Sequence, residues 1–308
     1  MIRNMPEATC TSFPAMGSDC VLHLFEASAE IAASAEAEVV RIEDRYSRYR
    51  PDSLLSEINR VAAVGGALDV DDETAALLDY ALAVHRKSEG AFDITTGILR
   101  RVWNFSSGRL PKTAAVDQLM ALVGLEKVQW RRPRLSFPVR GMELDFGGIA
   151  KEYAADRAAA ICAEAGTQHG LIDLGGDLRA IGPRADGTPW LIHLRDPRRP
   201  GARLAVIPLT HGGLATSGDY ERCVVIDGRR YSHILDPRTG WPVHGLASVT
   251  VIAESCLVAG SLATIAMLKG NAGAAWLQQL GIPCVWGTAD GQAGGSLWSA
   301  TPAIEARN

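Results

Sequence analysis

The stretch SGDYERCVVIDGRRYSHILDPRTG, from Ser217 to Gly240, sets groups able to move protons and bind anions on both sides of a short apolar strand, Cys223 to Ile226. Asp227-Gly228 between apolar runs is a two-residue hairpin signal, and Asp236-Pro237 ahead of Gly240 marks a second turn. His233 stands between Ser232 and that turn. A lone histidine is more often structural than catalytic, yet an imidazole with an ordinary pKa of about 6.5 on a polar hairpin is suited to accept a proton at neutral pH.

A second cluster is Leu144-Asp145-Phe146-Gly147-Gly148-Ile149-Ala150-Lys151, which reads as a strand, a glycine pair and a helix start with lysine one turn in. Free N–H groups and the positive end of a helix, together with an ammonium group, suit a phosphate. The same letters also describe an ordinary helix cap. The spacing is not G-x-x-x-x-G-K-[ST], so the segment is not a Walker A loop. Leu174-Gly175-Gly176-Asp177 reads as a tight turn, and in Gly90-Ala91-Phe92-Asp93-Ile94-Thr95-Thr96-Gly97 the aspartate reads as a cap for the next element. Tyr49 ends an amphipathic helix behind Ser47-Arg48, where an aromatic is either plain surface or a flat partner for a flavin or purine ring.

These groups need positioning elements. Cys20 to Phe25 alternates as a strand, Ser28 to Tyr46 has helical spacing, a helix from a Ser53 cap runs to Asn59, and Asp71/Asp72 open another to about Ser88. The first third is therefore mainly helical. Beyond Leu125 come short strands at Val128-Trp130 and Leu135-Phe137, then a long helix from about Ile149 to Ala165. Closely spaced runs come next at Leu171-Leu174, Leu178-Ile181, Trp190-Leu194, Leu204-Pro208, Gly213-Thr216 and Cys223-Ile226, read together as an antiparallel sheet. A strand over Ser248-Ala253 feeds a buried helix from Ser255 to Leu268. The pattern is α+β, expected as a single compact unit across 1–308, with two intertwined subdomains as the alternative.

Composition bounds the function. In 308 residues, 47% are hydrophobic and 21% charged, and the formal net charge is -4, which gives no electrostatic case for nucleic acid. The six cysteines are scattered singly, without a C-x-x-C pair. No apolar run reaches the ~18 residues of a membrane span. MIRNMPEATC has no apolar segment of a secretory leader, so the expected location is cytoplasmic as the sequence stands, and periplasmic or membrane-anchored if a leader preceded it.

Taken together, Ala15-Met16-Gly17-Ser18, Tyr46-Ser47-Arg48-Tyr49, Gly90 to Thr95, Gly147 to Asp156, Gly175-Gly176-Asp177, Ser217-Gly218-Asp219-Tyr220 and Ser232 to Gly240 stand in one order that resembles the ApbE family of FAD:protein FMN transferases, with the likeness running from Met16 to Gly270. The resemblance implies a T-fold-like antiparallel sheet with packed helices that binds FAD in a cleft. The FMN half of FAD would pass to a Ser or Thr hydroxyl of a flavin-acceptor protein, with release of AMP. Met16, Tyr49, Ala91, Phe92, Asp93 and Lys151 would contact FAD, and Asp156, Gly176, Asp177, Ser217, Gly218, Asp219 and Tyr220 would line the same cleft. His233 would take the proton from the acceptor hydroxyl.

The resemblance also implies Mg²⁺, held by the Asp and Thr of a helical A-D-x-L-x-T pattern with a backbone carbonyl near the glycine pair, here that of Gly148. This chain has Ala259-Gly260-Ser261-Leu262-Ala263-Thr264, so Thr264 is present and the Asp position is Gly260. Mg²⁺ usually leans on one or two carboxylates plus substrate phosphate, so this change is expected to weaken it. Ser261 points about 100° away from the face of 260 and 264. Glu254 and Asp219 are candidate substitutes, and Gly260→Asp is expected to raise Mg²⁺ affinity. The departure leaves two other readings open: an FAD-binding protein with weak or no transfer, and a metal-dependent FAD pyrophosphatase that uses water as acceptor.

Overall fold

Capping residues and apolar periodicity account for most element boundaries in the computed structural model, which describes residues 9–199, 201–220 and 223–298. Residues 1–8, most of the segment expected to carry no leader, lie outside them. In chain order the main elements are β1 (Thr9–Ala15), β2 (Ser18–Leu24), α1 (Ala29–Tyr46), α2 (Leu54–Val64), β3 (Ala67–Asp69), α3 (Asp72–Lys87), a 3-10 helix (Ile94–Arg101), α4 (Thr113–Met120), β4 (Gln129–Arg131), β5 (Arg134–Ser136) and α5 (Ala150–Glu164). They continue as β6 (Gly170–Leu174), β7 (Asp177–Gly182), β8 (Trp190–Arg195), β9 (Arg203–Leu209), β10 (Gly212–Gly218), β11 (Cys223–Ile226), β12 (Arg229–Ser232), β13 (Leu246–Ala253), α6 (Cys256–Leu268), α7 (Gly273–Gln279), β14 (Cys284–Thr288) and β15 (Ala293–Gly294). No described helix is long and apolar enough to cross a membrane.

The chain divides into two compact units. One comprises Met1–Glu43, Lys151–Gly218 and Gly245–Asn308, and the other Asp44–Ala150 and Asp219–His244. The first unit carries an eight-stranded antiparallel sheet in the order β1-β2-β6-β7-β10-β13-β14-β15. Helix α6 packs on β10 and β13. On the β8–β9 side, Leu171, Leu178, Ala180 and Leu214 meet Trp190, Leu194, Ile207 and Leu209. Covered strands lose the apolar-polar alternation of half-exposed ones, and the first six residues of β13 are all buried.

Two differences from the sequence reading have plain causes. The runs at 190–194, 204–208 and 223–226 do form strands, but among the described residues β8 pairs with β9 and β11 with β12, outside the large sheet. The β8–β9 ribbon uses its apolar side chains to cover the large sheet, and the Trp190 indole N–H donates to the Gly182 carbonyl at 2.9 Å. Helix α2 continues past Asn59 to Val64 because the Asn59 side chain is engaged with the backbone N–H and carbonyl of Leu144, at 2.7 and 2.9 Å, instead of competing with its own helix. The helix stops at Gly65, whose φ is 72°.

The second unit contains α2, α3, α4, the 3-10 helix, a three-stranded sheet in the order β3-β5-β4, and the β11–β12 hairpin turned at Asp227-Gly228, both with positive φ. After β12 the chain carrying His233 enters the Asp236–Gly240 turn. The Trp103 indole fixes that turn by donating to the Gly240 carbonyl at 2.8 Å. Trp103 belongs to an apolar cluster with Ile98, Leu99 and Val123, against which Tyr231, Leu235 and Trp241 pack.

Gly213 of β10 measures how closely α6 sits on the sheet. A Cβ there would lie 2.1 Å from the backbone N and 2.4 Å from the Cα of Cys256. No rotamer relieves a backbone clash, so Gly213→Ala is expected to cost about 1–3 kcal/mol, read as a lower urea midpoint. Gly287→Ala serves as the control, because its Cβ would meet Ser248 Oγ at an ordinary 3.5 Å. Equal midpoints for the two variants would contradict this account of the packing.

Candidate functional site

In the first unit the chemistry gathers on α5, the β6–β7 turn and the first turns of α6. Lys151 Nζ lies 2.8 Å from Asp177 Oδ2, and Asp177 is buried. The ammonium group stands over the Gly175-Gly176 turn, 3.9 Å from where a Gly175 Cβ would be, with Ser18 beside it. Both glycines have positive φ, and the space at Gly176 is open. The Gly176 N–H donates to Asp173 Oδ1 at 2.8 Å. Met16 and Gly17, with φ of 54° and 70°, form the two-residue turn between β1 and β2 that brings Ser18 to this place.

Asp156, one turn further along α5, performs a scaffold function. Its two oxygens accept the N–H groups of Cys256 and Leu257, each at 2.9 Å, and Arg179 Nε lies 3.5 Å away. Burial outweighs these bonds and holds its carboxyl above the usual range. Further along α6, Thr264 Oγ1 is 2.8 Å from Ser217 Oγ of β10, whose last residue is Gly218. Glu254 is exposed just ahead of the helix, where its carbonyl accepts from Arg179.

The residue that sequence reasoning passed over is Glu152. It is 7% exposed, its Oε2 is buried without a hydrogen-bond partner among the described residues, and it occupies the room a side chain at 260 would need. A Cβ on Gly260 would lie 2.5 Å from Glu152 Oε1 and 2.6 Å from its Cγ. The donors here are hard oxygens, and the cradle and the orphaned oxygen fit a small divalent cation. A signal was present in the letters: a carboxylate stands beside Lys151, and a glycine stands where a carboxylate was expected. Only the structure places them in contact.

The second unit holds the other expected groups. Tyr49 is 73% exposed, and Arg48 lies 5.0 Å from its ring centroid and donates to its hydroxyl at 2.8 Å. Arg48 also pairs with Asp145, whose Oδ1 accepts from the Gly147 N–H at 2.9 Å. Gly148 leaves room for the Phe92 ring, 3.3 Å from the Cβ it lacks. Ala91 and Phe92 are buried. Asp93 is buried as the cap of the 3-10 helix: Oδ1 accepts from the Thr95 N–H and hydroxyl at 2.8 and 2.6 Å, and Oδ2 from the Leu125 N–H at 2.9 Å. His85 Nδ1, 2.9 Å from the Phe92 carbonyl, lies 3.6 Å from Asp93 Oδ2. Asp219 and Tyr220 are half-buried, and His233 is exposed. Burial and then Arg229 push the His244 imidazole below its usual pKa, against the opposing charge of Asp219.

Burial first, and then the charge of Asp177, push the Glu152 carboxyl from 4.5 up to about 8 in the metal-free chain. Between those values the folded state keeps a proton that the unfolded state has lost. Its contribution to stability is therefore intact below pH 4.5 and is lost as pH rises through 8. In urea titrations with chelator, Glu152→Gln should flatten the decline of stability between pH 5 and 9. Parallel pH profiles for the two proteins would refute this titration.

Residues 16–286 match the model of the ApbE family. The chain is 32% identical over 247 residues to the FAD:protein FMN transferase of Haemophilus influenzae, covering 77% of this chain and 71% of that protein. Its fold matches the crystal structure of the ApbE protein of Thermotoga maritima with a TM-score of 0.86 at 31% identity, covering 94% of this chain and 97% of that one. It also matches the flavin transferase ApbE of Vibrio cholerae with a TM-score of 0.85 at 29% identity, with the same coverage of both. With the match spanning both units and every block from Met16 to the His233 turn, this chain belongs to the ApbE family.

Proposed function

We propose that this protein transfers the FMN moiety of FAD to a Ser or Thr hydroxyl of a target protein and releases AMP. The observation that carries the reading is the family match over 16–286, in which Lys151, tied to Asp177 beside an open glycine turn, retains the charge and donors a pyrophosphate needs. In this reaction the acceptor oxygen bonds to the phosphorus on the FMN side, the bond from that phosphorus to the bridging oxygen breaks, and AMP leaves with that oxygen. The hydroxyl proton passes to a base. Phosphoryl transfer demands little covalent help, so positioning and charge stabilisation dominate.

In this reading Lys151 neutralises phosphoryl oxygens, Tyr49 offers its exposed ring to the isoalloxazine, and Ala91, Phe92 and Asp93 hold the shape of the turn the flavin meets. His233, exposed on a turn anchored by Trp103, accepts the hydroxyl proton. Mg²⁺, when bound, adds charge neutralisation at the phosphate, and the Thr264 hydroxyl offers it a hard oxygen. The partner is a flavin-acceptor protein with a reachable Ser or Thr.

The decisive experiment incubates the protein with FAD, Mg²⁺ and a candidate carrier, with intact mass measurement of the carrier as the readout. The expected gain is one FMN less one water, and production of AMP and FMN with an unmodified carrier would argue for hydrolysis instead. His233→Ala is expected to slow transfer by about 10²–10⁴-fold while FAD affinity measured by calorimetry changes by less than about tenfold. Unchanged turnover would remove His233 from the mechanism.

A further inference from the structure

We infer that Glu152 supplies the carboxylate that α6 lacks at Gly260, so that a divalent cation in this protein is held by Glu152 from α5 together with Thr264 from α6. The inference rests on the transferase reading for the identity of the cation's substrate, and on the packing of the first unit for its location. Glu152 and Gly260 meet face to face. The would-be Cβ at 260 lies 2.5 Å from Glu152 Oε1, 2.6 Å from Cγ and 2.9 Å from Cδ, so the carboxylate fills the place where a side chain on α6 would start.

Positions 260 and 264 are one turn apart on the same face of α6, with side-chain origins about 5–6 Å apart. A carboxylate seated on Gly260 is therefore displayed beside the Thr264 hydroxyl, which Ser217 Oγ orients from 2.8 Å. A carboxylate that begins on α5 reaches the place that one beginning on α6 would otherwise fill.

A second observation points independently to a ligand. Glu152 Oε2 is buried without a hydrogen-bond partner among the described residues, and Glu152 as a whole is 7% exposed. Its electrostatic neighbours include Asp177 and Asp156, while the nearby Lys151 ammonium is engaged by Asp177 at 2.8 Å. With Asp177 matched by Lys151 and Asp156 by Arg179 at 3.5 Å, the Glu152 carboxylate is the unmatched charge of the three, and a buried oxygen that lacks a donor is satisfied by a cation. One expected substitute, Glu254, and the neighbouring Ser261 are placed less well. Glu254 is exposed ahead of the Ser255 cap, and the Ser261 side chain leaves α6 about 100° away from the 260–264 face.

The same packing reverses the expectation for Gly260→Asp. An added side chain cannot enter without expelling Glu152, so that single change should impair metal binding or stability. Only the exchange of both residues should be tolerated.

Mn²⁺ serves as the probe, its binding to the full-length protein monitored by loss of the free-ion electron paramagnetic resonance signal, with and without FAD. Glu152→Gln is expected to weaken Mn²⁺ binding at least tenfold, and Gly260→Asp to weaken it or lower the melting temperature. The double variant Glu152→Gly/Gly260→Asp should return Mn²⁺ affinity to within about tenfold of wild type. Wild-type affinity in folded Glu152→Gln, or improved affinity in Gly260→Asp alone, would overturn the inference. If Glu152→Gln does not fold, the double variant decides, and a folded double variant that does not bind Mn²⁺ counts against the exchange. The carrier-mass assay separates the two readings. Carrier flavinylated equally in Mg²⁺ and in chelator keeps the transferase reading and overturns the metal inference, whereas Mn²⁺ binding that depends on Glu152 without FMN transfer keeps the metal site and overturns the transferase reading.

Discussion

The first unit depends on how α6 is allowed to be buried. The helix buries most of its length against β10 and β13, and the N–H groups of its first turn have no acceptor within the helix itself. Asp156 takes two of them, those of Cys256 and Leu257, and Ser255 takes that of Val258. Because Asp156 lies on α5, satisfying the start of α6 also fixes α5 beside it. Glu152 and Lys151, one turn earlier on α5, are thereby aimed at Gly260 and at the β6–β7 turn. The bare edge of Gly213 under Cys256 completes the approach from the sheet side. The group that holds the scaffold thus stands one turn from Glu152 and Lys151 on a single helix.

The second unit uses carboxylates differently. Asp93 commits its acceptors to Thr95 and Leu125, and Asp145 is engaged by Arg48 and Gly147. Both are anchors of turns: Asp93 holds the buried Ala91-Phe92 turn, and Asp145 holds the Gly147-Gly148 step and, through Arg48, the exposed ring of Tyr49. Gly97 lets the 3-10 helix approach this step closely, since a Cβ there would sit 2.4 Å from that of Asp145. In the proposed transfer reaction, shape more than charge is what these residues would offer to a flat aromatic ligand.

Local physics made much of this legible in the sequence. Ser53, Asp71 and Ser255 cap helices where their letters stand, Asp227-Gly228 turns the expected hairpin, and α5 starts within a residue of the position that the glycine pair indicates. The misses arise where a distant group decides. Strand β1 buries only Phe13 and Ala15 and is turned by Met16, a residue that gives no turn signal. Asn59 reads as a helix end until its partner at Leu144 is known. The pairing of β8 with β9 alone is set by what their apolar side chains cover, which periodicity does not reveal. At the site, the motif residues could be named from their order along the chain, whereas the partnership of Glu152 with Gly260 joins positions far apart in sequence.

That partnership resists a purely structural explanation. Glycine inside a helix costs about 1 kcal/mol relative to alanine, and a buried polar atom without a partner costs about 1–3 kcal/mol more. If the only need were to fill the gap between α5 and α6, an apolar side chain at 152 would fill it without an orphaned oxygen. If the only need were a continuous α6, alanine at 260 would serve, with a smaller group at 152. Both penalties fall on one contact: the first arrangement would remove the orphaned oxygen, and the second would remove both. Sequences tolerate such paired local costs mainly where chemistry requires them. Under the cation-site inference, the requirement at this contact is a carboxylate on the 260–264 face of α6, and the chain meets it from α5, where position 260 has no side chain.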